Sequence, residues 1–155
     1  MSAILEGHLN AKGMRFAVLV ARTNDLVGSR LLAGAEDCLE RHGAPAESRT
    51  VVRVPGAWEL PMAASKLAKS GQFDAVVALG ALIRGETPHF DLLAAEAAKG
   101  LAQAAIESGI PVIFGVLTTE TLEQAMERAG AKGGNKGWEA ALAAVEMVSL
   151  FRRLG

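Results

Sequence analysis

Four apolar runs, each followed by a stretch with helical spacing, organise this chain. Phe16 to Ala21 and Ala75 to Ile83 are uninterrupted, Val112 to Leu117 follows Gly109 and Pro111, and Val51 to Val54 is a shorter version. Runs without polar alternation predict parallel strands covered on both faces. Between them, Leu31, Leu32, Ala35 and Leu39 share one helical face and lead to Gly43, a residue suited to a helix end. The spacing also predicts helices over Leu60 to Ser70, stopping at Gly71, and over Asp91 to Glu107, stopping at Gly109. Thr121 and Gln124 have the spacing of a capping box that opens a helix through Arg128. Trp138, Leu142, Val145 and Leu150 mark a last helix.

This alternation of strand and helix predicts an α/β class fold, an open parallel sheet with right-handed crossovers and helices on both faces. Ligands on such sheets bind beyond the carboxyl ends of the strands. Here those ends are Arg22-Thr23-Asn24, Gly56-Ala57-Trp58-Glu59 and Arg84 to His89. No internal repeat divides the chain, and the glycine-dense GAKGGNKG, Gly130 to Gly137, is too short for a domain linker. Residues 1–155 are therefore expected to form one domain, with 1–13 as an N-terminal arm.

Composition narrows the function. The 155 residues are 50% hydrophobic and 21% charged, enough for a full core, and the net charge is -1. Neither nucleic acid nor an anionic membrane is expected as a partner, since both need a basic surplus. The longest apolar run, Ala75 to Ile83, is too short to span a bilayer, and MSAILEGHLNAKGMRF lacks the pattern of a signal peptide. A cytoplasmic location is expected. The single cysteine, Cys38, lies among helix-spaced apolar residues and reads as core.

The chemistry concentrates in GALIRGETPHFD, Gly80 to Asp91. Thr87 is a favoured N-cap and Pro88 suits the first helical position, which would put His89 second. The free N–H groups of that helix start, with Gly85 before them, make a seat for an anion. The positive helix end disfavours imidazolium and helps keep His89 neutral and able to accept a proton. A Thr-Pro start with a histidine also serves capping or packing alone, Arg84 and Glu86 suit a solvated loop, and Trp58 in VPGAWELP suits a core. No metal-ligand spacing, P-loop or dinucleotide fingerprint is present.

Taken together, VPGAWELP, GALIRGETPHFD, GIPVIFGVLTTETLEQAMERAG and NKGWEAALAAVEM resemble, in order and spacing, the 6,7-dimethyl-8-ribityllumazine synthase family over about Ile4 to Leu150. The resemblance implies a flavodoxin-like three-layer fold with a four-stranded parallel sheet, pentamers, and active sites shared by neighbouring chains. It implies a transferase of riboflavin biosynthesis that needs no cofactor or metal. The reaction joins 5-amino-6-(D-ribitylamino)uracil to 3,4-dihydroxy-2-butanone 4-phosphate and releases phosphate and water.

Carried over, the resemblance makes His89 the catalytic proton carrier. It puts Ala57, Trp58 and Glu59 at the ribityl chain and ring edge, and Ala81, Leu82 and Ile83 at the pyrimidine. Glu86 and Thr87 would lie at the phosphate-bearing substrate, with Lys136 near the phosphate and Phe114 and Arg128 from the adjacent chain. Riboflavin synthase is an implied partner.

Two positions depart from the family pattern. Thr23 stands where an aromatic usually stacks on the pyrimidine, an interaction typically worth about 1–3 kcal/mol. Trp58 stands where phenylalanine is common. A flavin- or lumazine-binding protein with weakened catalysis is therefore an alternative. Gly130 to Gly137 carries no insertion relative to family members that build hollow shells, so an icosahedral capsid is expected, the arm before Met14 pairing with a neighbour's sheet.

Overall fold

The computed structural model describes residues 1–155. Its strands are β1 (Phe16–Ala21), β2 (Arg49–Val54), β3 (Ala75–Ile83) and β4 (Val112–Thr119). The helices are α1 (Asp25–Arg41), α2 (Leu60–Lys69), α3 (His89–Ser108), α4 (Leu122–Arg128) and α5 (Lys136–Leu154). Single 3-10 turns at Ala46–Ser48 and Ala57–Glu59 flank β2.

All four strands are parallel, in the order β2-β1-β3-β4. One row of the register runs Val51, Val18, Val77, Ile113 across the sheet. Strand alternation sorts the core. Phe16, Val18 and Val20 face α1, α4 and α5, whereas Ala17, Leu19 and Ala21 face α2 and α3. The result is the parallel sheet covered on both faces that the alternation of elements predicts, in the three-layer flavodoxin-like form that the resemblance implies. Every residue of the central strand β1 is buried, as its apolar run requires. At β2 the expectation of cover on both faces fails, because β2 is an edge strand and Thr50, Val51 and Arg53 remain exposed.

Helix ends lie close to the residues that signal them. Gly43, Gly71 and Gly109 take φ of 106°, 77° and 77°, a left-handed conformation that glycine adopts without a Cβ penalty. Thr121 caps α4 by accepting the Gln124 N–H at 3.1 Å, but Gln124 reaches back to the Glu120 N–H at 2.8 Å rather than to Thr121 itself. The start of α3 also differs by one residue. Pro88 occupies the cap, accepting the Leu92 N–H at 3.3 Å, so His89 is first rather than second in the helix. Thr87 still accepts the His89 N–H, at 3.4 Å.

Residues 1–13 add no strand to this sheet. They run along α5, where the His8 N–H donates to Ser149 Oγ at 3.0 Å and Arg153 donates to the Glu6 carbonyl at 3.0 Å. Ile4, Leu5 and Leu9 are left exposed. The glycine-dense connection before α5 is held by Asn135, which caps that helix through the Trp138 N–H at 3.0 Å. Its amide Nδ2 donates to the carbonyls of Arg30 and Ala129, both at 3.1 Å.

Candidate active site

The chain leaves β1 toward β2 on one side and leaves β3 toward β4 on the other, so the connections diverge between the carboxyl ends of β1 and β3. A crevice opens at such a switch point because no crossover covers it. Two consecutive residues lace its floor. Thr23 Oγ1 donates to the Pro55 carbonyl at 3.0 Å, just past β2. Asn24 Nδ2 donates to the Ala81 carbonyl of β3 at 2.8 Å. Asn24 is the one non-glycine residue with positive φ, at 59°, a conformation in which a short polar side chain is among the best tolerated. Strand patterning gives no hint of it.

The cleft has a volume of ≈ 450 Å³. Thr23, Ala57, Trp58, Glu59, Leu82 and His89 all line it, drawn from three separate strand ends. Gly56 forms part of the wall because a Cβ there would lie 3.1 Å from Thr23 Oγ1 and 3.4 Å from Glu59 Oε1. Leu92 and Leu93 complete the lining from the first turns of α3, and the motif reading did not single them out. Helical spacing signals them weakly, since they lie one turn beyond His89. Trp58 is not core, as its motif alone suggested. The 3-10 turn Ala57–Glu59 tucks Ala57 inward and leaves Trp58 61% exposed at the mouth of the cleft.

Strand alternation divides the remaining positions. Leu82 faces the α2–α3 layer and the cleft, whereas Ala81 and Ile83 pack on the opposite face, with α1, α4 and α5. Neither side chain lines the cleft, and the Ala81 carbonyl is occupied by Asn24. Glu86 and Thr87 are exposed in the loop that leads to His89.

Arg84 braces that loop. Its guanidinium meets Asp91 at 3.2 Å and Glu120 at 2.9 Å, and its Cζ lies 4.5 Å from the centre of the Phe90 ring. The hydrogen bond to Asp91, then that to Glu120, raises the guanidinium pKa above its ordinary value. The Arg84 N–H donates to the Thr119 carbonyl at 2.9 Å, so the brace ties the β3–α3 loop to the end of β4.

Phe114, Arg128 and Lys136 are not in this cleft. Arg128 and Lys136 instead line a second cavity of ≈ 220 Å³ together with Leu117, Glu127, Gly134 and Glu139. That cavity lies on the α4–α5 side of the sheet, where two cations and two carboxylates face one another. Glu127 and Glu139 were not singled out from the sequence. Phe114 is 37% exposed on the edge strand β4. No three His, Cys, Asp or Glu side chains gather as metal ligands, and no helix is long and apolar enough to cross a membrane.

The family model of 6,7-dimethyl-8-ribityllumazine synthase matches residues 13–152. A protein named 6,7-dimethyl-8-ribityllumazine synthase from Chlorobium phaeobacteroides is 61% identical over 149 residues, 96% of each chain. Namesakes from Chlorobium chlorochromatii and Chlorobaculum parvum are 59% and 58% identical, each over 97% of both chains.

Proposed function

The chain belongs to the 6,7-dimethyl-8-ribityllumazine synthase family, and from that premise we propose that the cleft beside His89 is where its condensation takes place. The enzyme is a transferase of riboflavin biosynthesis. It joins 5-amino-6-(D-ribitylamino)uracil to 3,4-dihydroxy-2-butanone 4-phosphate, forming 6,7-dimethyl-8-ribityllumazine with loss of phosphate and water.

The carrying observation is the convergence of His89 with Thr23, Ala57, Trp58, Glu59 and Leu82 in one crevice at the switch point. In the reaction an aromatic amine attacks the ketone and water leaves to give an imine. Phosphate is then eliminated and the second carbonyl closes the ring. Each step moves a proton, and the His89 imidazole at the cleft wall accepts and returns it. Glu59 and the backbone around Ala57 take the ribityl hydroxyls, Leu82 borders the pyrimidine, and the Ala81 and Ile83 backbone closes the floor. Glu86 and Thr87 lie beside the phosphate-bearing substrate, at the N-terminal end of α3, where the positive end of the helix dipole favours an anion.

A dianionic leaving group needs fixed positive charge. No lysine or arginine lines the cleft, whereas Arg128 and Lys136 share a cavity on the other side of the sheet. This separation supports a site completed by a neighbouring copy, which brings Arg128, Lys136 and Phe114 to the cleft of the first. Pentamers closed into an icosahedral shell fit the same reading. The exposed Ile4, Leu5 and Leu9 of the arm are then available for a neighbour's sheet, and β2 presents an open edge. Cytoplasmic location and riboflavin synthase as partner belong to this proposal.

Purified protein given both substrates, with no metal added, is expected to generate the absorbance and fluorescence of the lumazine. No signal at high concentrations of both substrates overturns the assignment, and tight lumazine binding without turnover would make the chain a carrier. Sedimentation is expected to show a pentamer-based particle, and monomers or dimers alone would exclude a shared site.

A further inference from the structure

We propose that Arg84 is a positioning residue for His89, holding the loop and first helical turn that present the imidazole to the cleft. The inference rests on the proton-carrying role of His89 proposed above. It gives a part in that role to a side chain that does not line the cleft.

The segment that carries His89 is poorly held by its own backbone. Between β3 and α3 the amides of Gly85, Glu86 and Thr87 donate to no backbone carbonyl. Pro88 has no amide hydrogen to donate, and the His89 N–H reaches Thr87 Oγ1 only at 3.4 Å. Burial does not fix the segment either, since every residue from Arg84 to His89 is exposed. The place of the imidazole therefore depends on side-chain contacts to the residues around it.

Arg84 supplies those contacts, and they fall on the two residues that follow His89. Its guanidinium lies 4.5 Å from the centre of the Phe90 ring and donates to Asp91 Oδ2 at 3.2 Å. Phe90 packs in turn against the α2–α3 core, so the ring is a fixed surface for the cation. On the other side, Arg84 Nε lies 2.9 Å from Glu120 Oε2. The Glu120 N–H is itself held by Gln124 Oε1 at 2.8 Å, which anchors the far end of the brace on α4. An exposed ion pair alone contributes little. Here one planar cation meets two carboxylates and a ring face at once, a geometry that a guanidinium satisfies and an ammonium does not. A reacting group displaced by about 1 Å can lose about a hundred-fold in rate, so such a brace bears on turnover from outside the cleft.

The test is steady-state kinetics of lumazine formation by Arg84→Gln, Arg84→Lys and Glu120→Gln. Arg84→Gln should lower kcat about ten- to hundred-fold with both KM values little changed, and by no more than His89→Ala does. Arg84→Lys keeps the charge without the fork and should recover only part of the loss. In a His89→Ala background, Arg84→Gln should have no further effect, because nothing is left to position. Amide hydrogen exchange should quicken over residues 85–91 and stay unchanged in β1. Sedimentation and circular dichroism report whether each variant folds and assembles. Should Arg84→Gln not assemble, Glu120→Gln carries the test, with a smaller fall in kcat and the same local rise in exchange. Parent-like turnover in Arg84→Gln, or a loss that persists in the His89→Ala background, overturns the inference while leaving the activity intact. So does a raised KM for the phosphate-bearing substrate with kcat unchanged, which would make Arg84 a ligand contact. A parent without turnover, or a fully active His89→Ala, overturns both the inference and the reading it rests on.

Discussion

At the scale of single residues, His89 and Arg128 should fail in different ways. If His89 carries the proton as proposed, His89→Ala is expected to lower kcat by roughly ten- to ten-thousand-fold, with KM values little changed. If Arg128 holds the phosphate as proposed, Arg128→Ala removes a charge-assisted contact of the ground state, and the KM of the phosphate-bearing substrate should rise most. Steady-state kinetics with each substrate varied in turn separates the two, and a fully active His89→Ala would return the histidine to a helix-start role. Cys38 offers an independent check on the core. It is fully buried on α1, and burial, aided by the charge of Asp37, pushes its thiol up to about 11. A raised pKa leaves the thiol protonated at pH 8, so an alkylating reagent should leave the native protein unlabelled and react after denaturation. Labelling of the folded chain at pH 8 would contradict the burial. Of these residues, Cys38 was legible as core from its neighbours in sequence, and His89 as a residue of a helix start. Asn24 was not, because its left-handed backbone is decided by a carbonyl 57 residues away.

Among the elements, the informative one is the connection from α4 to α5. Its glycines suggest a passive link, yet Asn135 makes it a staple between α1, the end of α4 and the first turn of α5. Asn135→Ala loses a helix cap and two further hydrogen bonds, expected to cost about 2 kcal/mol. For a chain of this length that corresponds to a fall in Tm of roughly 4–8 °C, measurable by calorimetry. Asn135→Asp keeps an acceptor for the Trp138 N–H but sets a carboxylate against two carbonyls, so it should not restore the parent Tm. An unchanged Tm in Asn135→Ala would show that the glycine-dense segment holds itself. Strand bounds were readable within two residues because the apolar period acts over a few residues, whereas α1 begins at Asp25, six residues before Leu31, and α5 runs to Leu154, four beyond Leu150. The start of α3 slipped by one because the Pro88 carbonyl, not that of Thr87, accepts the first helical hydrogen bond. A preference for threonine caps cannot foresee that choice.

For the whole molecule, the separation of the two cavities predicts complementation. If each cleft takes Arg128 from a neighbour, His89→Ala and Arg128→Ala chains assembled together should regain activity that neither has alone. With random mixing, about a quarter of sites would carry both parent residues, which bounds the expected recovery. Co-refolding equal amounts of the two variants and assaying lumazine formation measures it. A mixture no more active than the average of its parts would mean that each chain completes its own site.

The order of apolar and helix-spaced segments was enough to determine the α/β class, the parallel strands and the strand ends that border the cleft. Those features follow from steric and periodic rules that act along a short length of chain. The long motifs determined the family, since several matching together at fixed spacing leave little room for chance. Tertiary structure decided which candidates share a site. Placing β1 between β2 and β3 joined Thr23, Trp58 and His89 in one cleft, while strand alternation sent the side chains of Ala81 and Ile83 to the opposite face. It also left Trp58 in solvent and put Arg128 and Lys136 in a cavity of their own. Such relations depend on strand order and on contacts as distant as Asn135 with Arg30, 105 residues apart. Local propensity carries no information about contacts at that range, because the energy that selects them appears only when the layers close on one another.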